Sequence, residues 1–236
     1  MTCLSVIIPA HNEADRILNT LNQVSQFLQY RPYRSEIIIV ENGSRDQTST
    51  IVENFIAANP GWPITSMINL PTGDKGLAVK AGMLAAHGKM RYMADADLAT
   101  PIWCVEDFIY TMKKTKAALV IGNRYDPDGQ TLTRQLMSTM FLAATRWILG
   151  PGIQDTQAGF KLFTARAAEQ IFPMLQIHGW AFDVEVLHLA KQMGLEIKQL
   201  QIPWERQPGS KVKLMDPLRM LMDLARIKQA HDAIKA

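Results

Sequence analysis

Two glycine signatures are missing from this chain. No Gly-x-Gly-x-x-Gly follows its first apolar segment, and no Gly-x-x-x-x-Gly-Lys-Ser/Thr occurs anywhere. Their absence argues against a dinucleotide dehydrogenase and against a phosphate-loop NTPase. Cysteine is scarce. Cys3 and Cys104 stand among apolar residues at no metal-ligand spacing, so neither a disulfide framework nor a zinc site is expected, and both read as buried thiols of a reducing compartment. No run reaches the roughly 18 uninterrupted apolar residues of a spanning helix. The nearest, Leu132 to Leu149, is broken by Arg134 and Arg146. Neither sign of charge dominates: 25 Lys and Arg against 22 Asp and Glu give +3, too little to suggest a nucleic-acid partner. Repeats and low-complexity tracts are absent as well. The chain opens directly on a strand pattern, so no signal peptide and a cytoplasmic location are expected. The sequon Asn42-Gly43-Ser44 then has no role.

What is present is the pattern of a single α/β domain. Of the 236 residues, 47% are hydrophobic and 20% charged. Short apolar runs alternate with amphipathic stretches, the mark of βαβ units and a mainly parallel sheet flanked by helices. Strands are predicted at Leu4–Ile8, Ile37–Val40, Ile64–Ile68, Met90–Ala94, Ala118–Ile121 and Leu195–Ile202. Helices are predicted from Ile17 to Leu28, from a capping box at Ser44-Arg45-Asp46-Gln47 to Ala58, and over Gly76–Ala86 and Val105–Lys114. Further helices are expected over Leu132–Leu149, Ala165–Phe172 and Asp183–Met193, with a last one from about Asp216.

In open parallel sheets, ligands gather at the carboxyl ends of the strands. The polar residues just past the predicted strands are Pro9, His11, Asn12 and Glu13; then Glu41, Asn42, Gly43 and Ser44; then Asp74, Lys75 and Gly76; and finally Asp95 and Asp97. Each group alone suits caps and turns, but four on one sheet edge suggest a site. Asp95-Ala96-Asp97 offers two carboxylates to a hard divalent cation, Mg²⁺ or Mn²⁺, whose shell substrate phosphates would complete. His178 and His188 sit in no polar cluster and read as structural.

The motifs VIIPAHNE (6–13), VENGSRDQT (40–48), Lys75-Gly76, MADADLATP (93–101), IGNRY (121–125), DTQAGFKLF (155–163), WAFDVEVL (180–187) and PGSK (208–211) resemble those of family 2 glycosyltransferases with the GT-A fold. Within that family they look most like the dolichyl-phosphate β-glucosyltransferases, with the mannosyltransferases as near cousins. The resemblance implies a Rossmann-like domain whose 1–122 half binds a nucleotide-diphosphate sugar and whose 123–236 half binds the acceptor. It implies that Pro9, His11, Glu13 and Glu41 line the base and ribose pocket, and that Asp95 and Asp97 hold metal and diphosphate. Arg124, Arg134 and Ser138 would hold an acceptor phosphate. Asp155, Gln157, Asp183, Glu185, Ser210 and Lys211 would surround the donor sugar and diphosphate. Four positions depart from the family pattern: Glu41-Asn42 replaces two aspartates, His11 a common tyrosine and Ala158 a common cysteine. Ala99 stands where mannosyl relatives carry glutamine, which favours the glucosyl branch.

The acceptor decides whether a base is needed. A hydroxyl nucleophile requires one, with Asp183, Glu185 or Asp155 as candidates. A lipid phosphate is already anionic at neutral pH and needs cations instead, arginines above all. Lys75 or Lys211 would assist the leaving diphosphate. The expected partners are therefore a nucleotide-diphosphate sugar and a lipid-linked phosphate, with a separate membrane-anchoring subunit or a peripheral contact supplying the membrane. The resemblance implies inverting transfer of glucose from UDP-glucose; the alternatives are a GDP-mannose-dependent polyprenyl-phosphate mannosyltransferase, transfer to a glycan or small-molecule hydroxyl, and a nucleotide-sugar-binding module without turnover. The last helix, with Leu214, Leu218, Leu221, Met222 and Ala225 on one stripe, is expected to pack on the core rather than on lipid.

Overall fold

A computed structural model of the chain describes residues 2–125, 141, 143–205, 207 and 216–232. Arg134, Ser138, Ser210, Lys211 and Leu214 lie outside these residues, as does most of the predicted helix 132–149, of which 141 and 143–149 are described and helical (α5). The other elements are β1 (Leu4–Ala10), α1 (Ile17–Gln29), β2 (Ser35–Asn42), α2 (Thr48–Ala58), β3 (Ile64–Leu70), α3 (Lys75–Ala85), β4 (Met90–Met93), α4 (Val105–Thr115), β5 (Leu119–Tyr125), β6 (Lys161–Thr164), α6 (Ala165–Ile171), α7 (Phe182–Gln192), β7 (Ile197–Pro203) and α8 (Asp216–Asp232).

The strands form one sheet in the order β3-β2-β1-β4-β6-β5-β7. Six run parallel, as the alternating pattern predicts. β6, which the sequence pattern does not reveal, is antiparallel to both β4 and β5. It is four residues long, KLFT, with a buried lysine at its head and both faces covered, so it shows neither length nor alternation. Its orientation decides which loop reaches the site. Lys161 pairs with Met93 and Ile121, so β6 begins at the edge where β4 and β5 end and brings the preceding loop, 154–160, to that edge.

Side chains alternate across the sheet. Leu4, Val6 and Ile8 of β1 enter a core shared with α1, α2 and α4, and Ile7 enters the opposite core with α3, α6, α7 and α8. In α1, Ile17, Leu21, Val24 and Leu28 are buried at helical spacing. α8 packs on the second core, but through Met220, Leu224 and Ile227; the expected stripe is corrected, since Leu221, Met222 and Ala225 are exposed. Cys3 and Cys104 are both free thiols, Cys104 buried and Cys3 partly so. No helix among the described residues is long and apolar enough to cross a membrane.

The expected capping box is corrected. α2 starts at Thr48, and the oxygen that serves its first turn is Asp46 Oδ1, which accepts from Thr48 N at 3.0 Å. Ser44 instead accepts from Asn12 N at 2.9 Å and ties the β2 loop to the β1 loop.

At the sheet centre, Tyr92 is fully buried edge-on to Phe108, and its hydroxyl has no hydrogen-bond partner among the described residues. A buried hydroxyl without a partner carries a desolvation cost that phenylalanine avoids. Tyr92→Phe is therefore expected to raise unfolding stability by about 1 kcal/mol in urea titration; a loss of that size would mean that the hydroxyl makes a stabilising hydrogen bond after all.

Candidate active site

The loops after β1 and β2 form one hydrogen-bonded unit. His11 Nδ1 lies 2.7 Å from the Asn42 carbonyl, which can only accept, so Nδ1 carries the proton and Nε2 is left to accept from Asn12 Nδ2 at 3.0 Å. Asn12 adopts φ 53°, a left-handed conformation that asparagine tolerates, and its Oδ1 accepts from Arg45 N at 2.7 Å. Gly73 lies close enough that a Cβ there would stand 3.2 Å from the His11 ring. Glu13 pairs with Arg16 at 2.8 Å, and Pro9 lies within β1. Glu41 and Asn42, expected in a loop, are the last residues of β2 and are buried; Glu41 Oε1 accepts from Ser44 N at 2.6 Å. One oxygen of the residue expected at the base thus shapes its own turn.

Beside this unit lies a cluster of charge. Lys75, at the start of α3, donates to Asp95 Oδ1 at 2.6 Å and sits over the Trp180 ring at 5.6 Å. Burial works to lower its pKa, but the charges of Asp95, Asp183 and Asp97 outweigh burial and hold it above the usual lysine value. Asp97 is pushed up, first by burial and then by the charge of Asp95, against the opposing pull of the Ala99 N–H and Lys75. The turn between the aspartates and Ala99 is closed by Leu98 N donating to Asp95 O at 3.1 Å, with Leu98 in the left-handed region at φ 45°. For a γ-branched apolar residue that conformation is strained, and it lies at the functional edge, where such strain concentrates.

Two further ion pairs complete the cluster. Arg124, near the end of β5, grips Asp155 bidentately, Nε to Oδ2 at 2.6 Å and Nη2 to Oδ1 at 3.0 Å. Burial opposes the Asp155 charge, but Arg124 more than compensates and holds that carboxyl below its usual range. Gln157 N also donates to Asp155 Oδ1, at 3.0 Å. Lys161, 1% exposed, donates to Asp183 Oδ1 at 2.7 Å and to the Ala158 carbonyl. Asp183 is pushed up by burial despite Lys161 and Lys75. Four carboxylates and three cations thus meet at the carboxyl edge of the sheet.

Lys161 and Trp180 belong to this site, although neither stands out as a site residue in the sequence. The signal that could have found Lys161 is a lone lysine between Phe160 and Leu162 in an otherwise apolar strand. Gly159 is another: a Cβ there would fall 1.6 Å from Asp95 Oδ2, so the loop before β6 presses directly against the first aspartate.

Glu185 lies apart from this cluster. Two residues after Asp183 on α7, it is turned away from the cluster by the pitch of the helix and is wholly buried. Its oxygens accept from Gln176 N at 2.9 Å and Ile177 N at 2.8 Å, and from His231 at 2.6 Å. His188 is buried beside Gln192, as expected of a structural histidine. His178 is exposed, and its carbonyl accepts from Gly76 N at 2.7 Å.

The sheet and its edge cluster define a GT-A glycosyltransferase fold. Glucosyl-3-phosphoglycerate synthase from Mycobacterium tuberculosis, solved with UDP, superposes with a TM-score of 0.71 at 19% identity, covering 97% of this chain and 80% of that one. The same enzyme solved with Mn²⁺, UDP-glucose and glycerol 3-phosphate gives 0.69 at 18% identity, with the same coverage. Residues 5–188 match the Glycosyl transferase family 2 model, and the chain belongs to that family. Its relatives include dolichyl-phosphate β-glucosyltransferases from Dictyostelium discoideum (36% identical, 95% of this chain, 73% of that protein), Saccharomyces cerevisiae (34%, 97%, 75%) and Homo sapiens (30%, 95%, 74%).

Removing one partner of the buried Lys161–Asp183 pair strands the other charge. Lys161→Met is expected to lower unfolding stability by about 3–5 kcal/mol, and Lys161→Met with Asp183→Leu to recover most of that loss. Equal losses in urea titrations of the single and double variants would contradict this.

Proposed function

We propose that this chain is an inverting, metal-dependent hexosyltransferase that moves glucose from UDP-glucose to a polyprenyl or dolichyl phosphate. The observation that carries the choice of acceptor is that each candidate base is already engaged: Asp155 by Arg124, Asp183 by Lys161, and Glu185 by two backbone amides and His231. Protonating Asp183 in a base role would leave the Lys161 charge buried without its counterion, which is costly. A phosphate monoester needs no base, because its second pKa near about 6 leaves it largely anionic at neutral pH. The names of the relatives support the same acceptor, and the solved neighbours with UDP-glucose and Mn²⁺ support the donor and cation.

Asp95 and Asp97 suit a hard cation. Both are oxygen donors on one turn; burial and then the charge of Asp95 raise Asp97, and a bound dication would oppose both effects. When bound, Mg²⁺ or Mn²⁺ supplies Lewis-acid stabilisation to the departing diphosphate. The protein's own groups do the rest. Lys75 adds fixed positive charge beside Asp95, in a position to stabilise charge that grows on the leaving group. His11, Asn12 and Ser44 hold the two loops that frame the nucleotide side, with Pro9, Glu13 and Glu41 behind them. Arg124 brings a guanidinium to the acceptor side, where a phosphate competes with Asp155 for its planar fork. Arg134, Ser138, Ser210 and Lys211 complete the acceptor and diphosphate contacts in this reading, and the halves 1–122 and 123–236 serve donor and acceptor respectively. Direct attack by the phosphate oxygen breaks the bond to the diphosphate in a single displacement and inverts the anomeric carbon. A cytoplasmic enzyme meeting lipid at a membrane face, alone or on an anchoring subunit, fits such an acceptor.

The test is transfer to a short polyprenyl phosphate from a panel of UDP- and GDP-sugars with Mn²⁺ or Mg²⁺. UDP-glucose is expected to be the productive donor, with chelation abolishing transfer and Asp97→Ala lowering it by at least about 10²-fold. Transfer from GDP-mannose would move the chain to the mannosyl branch. Product on a hydroxyl acceptor alone would overturn the phosphate reading.

A further inference from the structure

We propose that Glu185 is a positioning residue for Lys75, and that His231 on the last helix locks it in place. This rests on the donor site described above but concerns residues outside its charge cluster. Glu185 and His231 are 0% and 1% exposed, and the imidazole Nε2 donates to Oε1 at 2.6 Å. The same carboxylate receives two successive backbone amides, Gln176 and Ile177, at 2.9 and 2.8 Å. A buried carboxylate with three donors is a rigid anchor, and what it fixes is the backbone of the loop before α7.

That backbone continues directly into the donor site. The next carbonyl, His178 O, accepts from Gly76 N at 2.7 Å. The fit is so close that a Cβ on Gly76 would lie 2.7 Å from His178 O, 2.8 Å from Ile177 O and 2.7 Å from Phe182 Cβ. Gly76 follows Lys75, whose ammonium lies on Asp95 and over Trp180, itself carried by the same loop. The order of contact is therefore His231, Glu185, the 176–180 backbone, Gly76 and Trp180, then Lys75. α7 contributes to both ends, with Asp183 entering the charge cluster and Glu185, about 200° further round the helix, entering the clamp. Through this path the packing of α8 bears on the cation beside the metal-site aspartate.

The test is amide exchange together with a kinetic cycle. Glu185→Gln keeps the shape but replaces one acceptor oxygen by a donor. Exchange at Gln176, Ile177 and Gly76 is expected to accelerate at least about tenfold while β1 and β2 keep their protection. In turnover, kcat is expected to fall about tenfold with donor KM nearly unchanged, because Lys75 acts on charge that appears only in the transition state. In a Lys75→Ala background the same substitution should cost less than about twofold, since the two act as a unit. Unchanged exchange at Gly76, or an equal loss in both backgrounds, would overturn the proposal. If Glu185→Gln does not fold, His231→Phe opens the clamp from α8 and is read by the same measurements. The exchange result decides the clamp even if UDP-glucose proves to be the wrong donor.

Discussion

Four carboxylates converge on one edge of a sheet, and keeping them there is the electrostatic constraint on which the rest of the site depends. Asp95, Asp97, Asp155 and Asp183 come from two loops and a helix start, and like charges in a partly dry setting repel strongly. Each cation answers this repulsion. Lys75 takes Asp95, Arg124 takes Asp155, and Lys161 takes Asp183. Among the described residues Asp97 accepts from the Ala99 amide rather than from a lysine or arginine, and the charge of Asp95 helps to raise its carboxyl. Lys75 and Arg16 offset part of that charge from a distance, and in the proposed function a divalent ion held with a nucleotide diphosphate would offset the rest.

The antiparallel strand makes this convergence possible. A seventh parallel strand would begin at the opposite edge and take its leading loop with it. Because β6 runs against β4 and β5, the loop carrying Asp155, Gln157 and Gly159 reaches the same edge as the aspartate turn, and Lys161 follows at once to meet Asp183. Gly159 is required by contact, since no side chain fits against Asp95. Burying both faces of β6 in turn requires that its one charged residue find a partner inside the protein, which Asp183 provides.

Much of this architecture is legible in the amino-acid sequence. The parallel strands announce themselves as apolar runs of the right length, and the polar residues after them already mark the site edge. What stays hidden has physical causes. β6 is too short and too uniformly buried to show a period of two. Ser44-Arg45-Asp46-Gln47 carries the spacing of a capping box, but Ser44 is drawn to Asn12 on the neighbouring loop, a tertiary contact that local pattern cannot reveal. Asp183 and Glu185 look alike at a helix start, yet helical pitch sends one into the cluster and the other into the loop before α7. His231, 46 residues beyond Glu185, gives no local sign of the pairing.

The most direct test of a shared metal and diphosphate site is Mn²⁺ binding followed by electron paramagnetic resonance, with and without UDP, in the native protein and in Gly159→Ala. If Asp95, Asp97 and the diphosphate hold one ion together, UDP tightens Mn²⁺ binding by at least about tenfold, and Mn²⁺ tightens UDP by the same factor. Gly159→Ala, by pushing Asp95 aside, removes that coupling while the protein stays folded. Mn²⁺ binding indifferent to UDP, or coupling that survives Gly159→Ala, would contradict the account.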